Sequence, residues 1–472
     1  MRFAAILASV SLLSCVAGAY NPRQIPGFPG ADQQSAISGA ESLCLEFGVT
    51  LAAESSAIAA GLSTAASGAS ITGSSAQGTG ATSSTTAHYP SSLRSSIYTA
   101  AFHSKPPARQ WTILASFFLT SSVTGLYKIV SLATGTKCLP ADRLPVDGES
   151  LHDRQGHAEV LARRGAVRWF LEEIGRCQNA PNMTFQSEWI SPCDDGRYEL
   201  KTDVQLILYV STVPCGDASM RFLATSQDEQ MAALKDSAIR PPADPTLAAR
   251  GRDNYALFGI LRTKPGRADA PSTASMSCSD KIASWTFLGI QGALGSRFLR
   301  PLYIHGIIIG EVPPELQSVV RDDCERALWR RLEGILDCGE YSLHRPAIEF
   351  TALPFVHSRT SIPQVGGSCN DSLWWIADSS KPAEVLINGF KRGTAPKHRH
   401  REQSIPQACR KSMLLLYHEN LRICGLPPEP DLPHQTIKQL IAEYQAAKQS
   451  LMGQQGIFSG WIRGSSTRFE AR

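Results

Sequence analysis

Three short segments of the chain carry side chains that could bind a metal ion and activate water. The first holds His157 and Glu159, the second holds Cys215 directly after a proline, and the third holds Cys278. One histidine and two cysteines are ligands that zinc prefers, and they leave the fourth tetrahedral position open for water. A catalytic zinc ion needs this open position, because it lowers the pKa of the bound water to near neutral.

The spacing of these residues leaves two interpretations open. Glu159 follows His157 at the predicted start of a helix, from which its carboxylate could shuttle protons to and from bound water. An H-x-E sequence followed by P-C is typical of zinc-dependent deaminases, in which the glutamate is an acid and base and not a ligand. An isolated H-x-E also arises by chance, a single buried cysteine is usually a small apolar residue, and no P-C-x-x-C follows here.

Strands and helices alternate through the part of the chain that carries these side chains. Apolar alternation and continuous apolar runs predict strands over 127–132, 204–210 and 302–309. Apolar residues at a helical period predict helices over 157–174, 278–299 and 435–452. The candidate ligands lie next to the ends of these elements. Alternation of this kind is typical of a layered α/β domain.

The composition limits the class of protein. The chain has 472 residues, with 46 Lys+Arg against 42 Asp+Glu, which excludes collagen and coiled coils. The small net charge also excludes nucleic-acid binding by bulk positive charge, so any basic surface must be local. Twelve cysteines are too few for a disulfide framework over this length. No apolar run is long enough to span a bilayer, and we expect no stable membrane association.

The N-terminal part of the chain differs in composition from the rest. Residues 1–19 resemble a secretory signal peptide, with an early arginine, an apolar run and small residues at the end. Residues 20–108 are rich in serine, alanine, glycine and threonine, and we predict that they are mostly disordered, with one short helix near 38–49. We predict an ordered domain over 109–465 and a tail over 466–472.

A series of segments resembles adenosine deaminases acting on RNA, and most closely the tRNA-specific adenosine deaminases of that group. They occur in the order of the family over about residues 110–465. The resemblance implies an A-to-I editase domain over 109–465 with a cytidine-deaminase-like α/β fold, in which helices flank a mixed sheet and a C-terminal helical part surrounds a buried polyphosphate. The matching segments are 131–138, 157–164, 209–220, 262–267, 275–283, 291–294 and 444–448.

The resemblance implies a specific enzyme. Zinc would be bound by His157, Cys215 and Cys278, and Glu159 would shuttle protons while hydroxide adds to C6 of adenine and ammonia leaves to give inosine. The third ligand is then the cysteine of S-C-S-D-K, which accounts for the missing C-x-x-C. A stacked purine cannot present C6 to a buried metal, so the nucleotide must be extruded or lie in a loop.

The resemblance also implies a second cofactor, inositol hexakisphosphate, buried as a structural group. Many cations that converge in a core repel one another unless a polyanion lies between them. Taken alone, each of the residues named below is better explained by a solvated surface. Ser284 stands where members of the family often have a basic residue, and Arg463 stands where an acidic residue is usual. The implied cofactor residues are Arg163, Arg164, Lys281, Trp285, Gln291, Lys411, Lys438, Tyr444, Lys448 and Trp461.

The expected partner is tRNA and not DNA. An editor of long RNA duplexes normally carries modules that bind double-stranded RNA, and the ordered part of the chain leaves no room for one, which favours tRNA. The resemblance places Thr136 and Lys137 near the target nucleotide, and a solvated lysine is the alternative at 137. The basic stretch 381–411 favours Lys391, Arg392 and Lys397 as phosphate contacts, or it is a solvated loop.

By resemblance the target is the adenosine 3′ of the anticodon in tRNA-Ala. The family is nuclear or cytoplasmic, which conflicts with the signal-like segment. An inactive RNA-binding relative and a secreted protein that reuses the fold remain as alternatives.

Overall fold

The computed structural model describes residues 98, 105–139, 156–179, 186–225, 248–251, 257–264, 273, 275–430 and 432–462. All of these residues belong to one unit, Ala87–Arg472. The signal-like segment 1–19, the helix predicted near 38–49, most of the region 20–108 and the tail 466–472 lie outside the described residues. Within the described part of the chain, no helix is long and apolar enough to cross a membrane.

A mixed eight-stranded sheet organises the fold. Three neighbouring strands run parallel to one another, namely β8 (Val204–Val210), β11 (Gly306–Gly310) and β12 (Ala347–Thr351). The other neighbouring pairs of strands are antiparallel. Strand β8 reads V-Q-L-I-L-Y-V and is buried at every position but one, as expected for a strand covered on both faces. Across the sheet the order is β12 (Ala347–Thr351), β11 (Gly306–Gly310), β8 (Val204–Val210), β2 (Leu114–Ser121), β3 (Tyr127–Thr134), β14 (Ser372–Ile376), β15 (Ala383–Ile387) and β16 (Phe390–Lys391).

Four two-stranded sheets complete the β structure of the described residues. They pair β1 (Gln110–Trp111) with β13 (Gly367–Ser368), β4 (Thr136–Lys137) with β5 (Gly156–His157), β6 (Ile190–Pro192) with β7 (Tyr198–Leu200), and β9 (Ala249–Arg250) with β10 (Arg262–Thr263). The β4–β5 pair starts at Gly135, whose φ is +147°, and a Cβ at this position would lie 1.9 Å from the carbonyl oxygen of Gly156. Only glycine therefore allows β4 to approach the strand that ends at His157.

Helices cover the sheet and build the rest of the domain. The α-helices among the described residues are α1 (Ala158–Gln178), α2 (Met220–Thr225), α3 (Cys278–Leu288), α4 (Gly292–Gly295), α5 (Gln317–Leu328), α6 (Arg410–Ile423), α7 (His434–Gln439) and α8 (Ala442–Met452). Helix α1 packs on β2, β3 and β14, and it buries Leu161, Trp169 and Phe170 completely. The α/β class predicted from the sequence is confirmed, with helices flanking a central mixed sheet.

The predicted strands over 127–132 and 204–210 are confirmed, and the helix predicted from 157 begins one residue later. Two predicted helices are each interrupted. The helix from Cys278 ends at Leu288 because Gly289 adopts a left-handed φ of +69°. The C-terminal helix is split into α7 and α8, where the side-chain amide of Gln445 donates to the carbonyl of Lys438 at 2.7 Å. The predicted strand over 302–309 pairs in the sheet only from Gly306.

Candidate active site

The three candidate zinc ligands come from three separate elements and meet at one point. His157 ends β5 and directly precedes α1, Cys215 follows β8, and Cys278 is the first residue of α3. The Nδ1 atom of His157 lies 3.8 Å from Cys215 Sγ and 3.6 Å from Cys278 Sγ. Ligand atoms around a tetrahedral zinc ion lie about 3.6 Å apart, given its usual bond lengths. The donor set and its spacing therefore fit zinc.

Close contact between the two cysteine segments depends on the residue after Cys215. Gly216 has a φ of +113°, and a Cβ at this position would lie 2.1 Å from Ser277 Oγ. Ser277 caps α3 by accepting a hydrogen bond from the backbone of Asp280 at 3.2 Å. The first backbone N–H of α3, that of Cys278, points at Cys215 Sγ at 3.5 Å. Glycine and the helix cap together place both thiols on one side of His157.

A buried lysine lies next to the two thiols and lowers the pKa of each through its positive charge. Lys264 Nζ lies 3.2 Å from Cys278 Sγ, and the side chain is almost fully buried. Burial lowers the pKa of Lys264, but the negative charges of the cysteines and Glu159 outweigh it and raise the pKa above its ordinary value. A hydrogen bond with Cys278 lowers the pKa of Cys215, and Lys264 lowers it further. The site thus favours the thiolate at Cys215, whereas burial and the negative charge of Cys215 raise the pKa of Cys278.

Glu159 lies in the first turn of α1 and is only 1% exposed. Its Oε2 atom is buried and has no hydrogen-bond partner in the part of the chain that the structure describes. Buried carboxylate oxygens almost always have partners, so an unpartnered one calls for a functional explanation. Its charge acts on Cys278 and on Lys264, which places it next to the ligand cluster. This oxygen is free to bond to a water molecule or substrate at the site.

Sequence reasoning missed two side chains of this site. One is Lys264, and the other is Cys138, which hydrogen-bonds with His157. Both lie in segments that resemble the family, 262–267 and 131–138, but neither residue type alone indicates a role. Their contribution depends on the approach of β4 and β10 to the ligands, which sequence spacing does not reveal.

A second cluster gathers positive charges from α1 and the C-terminal helices. Burial lowers the pKa of Lys438 to about 7, and Lys448, Arg410, Arg163 and Arg164 lower it as well. Burial and Arg410 lower the pKa of Arg164 to about 10. The largest charges acting on Lys438 are thus all positive. Cations held together in this way favour the binding of an anion between them.

The other residues predicted for the cofactor fall into two groups. Trp285 lies under the guanidinium of Arg163 at 5.3 Å, Tyr444 is buried close to Arg163, and Trp461 is partly buried in the neighbouring apolar core. Arg163 Nε is buried without a hydrogen-bond partner. Lys411 is exposed on α6.

Lys281 and Gln291 instead bond within the protein. Lys281 Nζ donates to Met276 O at 2.6 Å and to Ser275 Oγ at 2.9 Å, and burial lowers its pKa to about 7. The Gln291 amide donates to Leu288 O and accepts from Leu302 N.

Two of the residues predicted to contact RNA lie beside the ligand cluster. Thr136 pairs with His157 in the β4–β5 ladder, and Lys137 next to it is exposed. Arg392 forms an ion pair with Asp371 at 3.1 Å, and its charge and that of Lys137 both act on the thiol of Cys369.

Lys391 and Lys397 differ in their surroundings. Lys391 forms an ion pair at 2.9 Å with Glu384, whose side chain is only 5% exposed, and donates to Gln403 O. Lys397 is exposed. The ammonium group of Lys391 is therefore held by bonds within the protein, whereas the side chain of Lys397 is exposed to solvent.

Comparison with known proteins agrees with this geometry. Residues 131–465 match the model of the adenosine-deaminase (editase) domain. The chain is 32% identical over 333 residues to the tRNA-specific adenosine deaminase 1 of Schizosaccharomyces pombe, covering 68% of this chain and 81% of that protein. It is 31% identical over 332 residues to the protein of the same name from Drosophila melanogaster, covering 67% and 77%. The chain belongs to the adenosine-deaminase (editase) family.

Proposed function

We propose that the protein is a zinc-dependent deaminase that converts adenosine to inosine in tRNA. The observation that carries this proposal is the cluster of His157, Cys215 and Cys278, whose ligand atoms lie within 4.8 Å of one another. Oε2 of Glu159, which has no hydrogen-bond partner among the described residues, supports it. A zinc ion held by these residues would supply hydroxide near neutral pH. The names of the relatives support tRNA as the substrate.

The residues around the cluster have separate tasks in this reaction. The Glu159 carboxylate takes a proton from water and passes it to the amino group that leaves C6 of adenine. The ammonium group of Lys264 lies 3.2 Å from Cys278 Sγ, and its positive charge lowers the pKa of both thiols. The strand that carries Thr136 and Lys137 pairs with the strand of His157, and we assign to these two residues the positioning of the extruded nucleotide. Arg392 and the exposed Lys397 are assigned to phosphates of the tRNA.

We propose the adenosine immediately 3′ of the anticodon in tRNA-Ala as the target. The test is incubation of purified protein with a panel of tRNA transcripts, followed by sequencing, in which inosine is read as guanosine. We expect conversion at this adenosine in tRNA-Ala and no guanosine signal at this position in a transcript with cytidine there. Conversion at a different position would contradict the site assignment, and conversion only in long duplex RNA would contradict the substrate class.

We propose that inositol hexakisphosphate occupies the cationic cluster between α1 and α6–α8. Support comes from the low pKa of Lys438 and from the unpartnered Nε of Arg163. Several phosphates at this place would relieve the repulsion among cations that α1, α6, α7 and α8 contribute. Protein that is purified, dialysed and then denatured should release a polyphosphorylated inositol in about one copy per chain. Protein that is folded and active yet releases none would contradict this part of the proposal.

A further inference from the structure

Each cysteine of the candidate zinc centre is followed two residues later by an aspartate that is fully buried. Asp217 follows Cys215, Asp280 follows Cys278, and both aspartates have an exposed fraction of 0%. A buried carboxylate is costly unless it is paired and hydrogen-bonded. The partners of these two aspartates therefore indicate what fixes the cysteine segments in place.

Asp280 is held from three directions. Its Oδ1 atom accepts from Arg331 Nη2 at 2.7 Å, and the side chain of Arg331 is itself only 5% exposed. Its Oδ2 atom accepts from the backbone N–H of Arg262 at 2.9 Å and from Ser277 Oγ at 2.7 Å. Asp280 thus links the first turn of α3 to β10 and to the turn after α5.

Asp217 is held by the same two parts of the chain. Its Oδ1 atom accepts from the backbone N–H of Gly259 at 3.0 Å, and its Oδ2 atom lies 3.4 Å from Arg326 Nε. Arg326 Nη2 also donates to the backbone carbonyl of Asp217 at 3.0 Å. Arg326 is fixed in turn by an ion pair with buried Asp323. Both cysteine segments are therefore fastened to one stretch, 326–331, and to one segment, 257–264.

We propose that Arg326 and Arg331 are positioning residues that set the separation of the two zinc thiolates. The inference rests on the zinc centre of the proposed function. The two cysteines come from distant parts of the chain, and a rigid stretch that binds both following aspartates fixes one relative to the other. Groups that orient metal ligands in this way typically change metal affinity 10–100-fold when they are removed. Arg331 also lies over the ring of Phe458 at 4.7 Å, which joins the C-terminal segment to this support.

The test compares Arg331→Ala and Arg331→Lys with Arg330→Ala as the matched control. Arg330 is the neighbouring residue, but it is exposed and pairs only with Asp322 and Glu325 among the described ion pairs. Zinc affinity is measured by competition with a chromogenic chelator, and the cobalt form is followed by its thiolate charge-transfer band. We expect Arg331→Ala to weaken zinc binding about 10–100-fold and to shift the cobalt band. We expect Arg331→Lys to recover part of the affinity and Arg330→Ala to match the wild type.

If Arg331→Ala does not fold, Asp280→Asn replaces it in the test, because asparagine keeps the shape of the aspartate side chain. Melting temperatures of the metal-free proteins are measured in parallel. The inference would be overturned if folded Arg331→Ala or Asp280→Asn kept the zinc affinity and the cobalt spectrum of the wild type and showed only a lower melting temperature. That result would leave the proposed zinc centre intact. A wild-type protein that binds no zinc would overturn the proposed function itself.

Discussion

Replacement of Glu159 by glutamine separates the chemistry of the site from its architecture. Glutamine has nearly the same shape as glutamate but cannot accept and return a proton. Oε2 of Glu159 has no hydrogen-bond partner among the described residues, so the substitution breaks no described bond at this atom. The three ligand atoms come from other residues. We therefore expect a folded, zinc-loaded protein that binds tRNA and lacks its acid and base.

The expected magnitude follows from the role of the carboxylate. General acid–base catalysis contributes about 10²–10⁴-fold to a rate, which corresponds to roughly 3–5 kcal/mol of transition-state stabilisation. The single-turnover rate of inosine formation should fall by that factor in Glu159→Gln. A change in folding free energy below about 1 kcal/mol would shift the melting temperature by only a few degrees. The loss of activity should therefore appear without loss of structure.

The assay uses enzyme in excess over tRNA and quantifies inosine after complete nuclease digestion, with zinc content measured on the same preparation. Glu172→Gln is the control, because Glu172 lies on the same helix but pairs with Arg168 at 2.8 Å. We expect the control to retain activity within about twofold, because glutamine keeps the shape of Glu172 and can still accept a hydrogen bond from Arg168. A zinc-loaded Glu159→Gln protein that keeps more than one tenth of the wild-type rate would refute the assigned role.

Three further outcomes follow from the site and its surroundings. Gly216→Ala should lower zinc occupancy and the melting temperature, because its Cβ would lie 2.1 Å from Ser277 Oγ; normal zinc content would contradict this. Lys391→Ala should lower the melting temperature, because it removes the ion-pair partner of the buried Glu384 carboxylate. Lys397→Ala should instead weaken only tRNA binding. Gel-shift and melting experiments on both variants separate the two effects. Lys438 has a pKa of about 7, and bound phosphates raise it, so affinity for inositol hexakisphosphate should fall as the pH rises through 7. Calorimetry at several pH values should show that the affinity of Lys438→Met depends less steeply on pH than that of the wild type. An equal pH dependence in the two proteins would contradict the role of this lysine.

The candidate zinc ligands were accessible to sequence reasoning because each lies next to the end of an element with a clear pattern. His157 precedes a helix with a strong apolar period, and Cys215 follows an apolar strand. The potential ligand atoms of these residues and Cys278 lie within 4.8 Å of one another, as the proposed site requires. The ends of the helices were harder to predict, because the apolar period continues past Gly289 while the backbone does not. Pattern alone does not register a left-handed residue or a side chain that replaces a helical hydrogen bond.

The supports of the site were not predictable from local sequence. Arg330 and Arg331 are adjacent and identical in type, yet one is exposed and the other is bonded to a buried carboxylate. The difference arises from the packing of the turn after α5 against α3, which joins residues about fifty positions apart. Lys264 was missed for the same reason, since its partner Cys278 is defined only by the tertiary fold.

The central claim is tested most directly by titrating metal-depleted protein with zinc and measuring inosine formation in tRNA-Ala at each point. The proposed chemistry predicts no inosine without metal, a rate that rises in proportion to bound zinc, and saturation at one zinc ion per chain. Inosine formation by protein that is free of metal, or a fully zinc-loaded protein that forms no inosine in any tRNA, would contradict it.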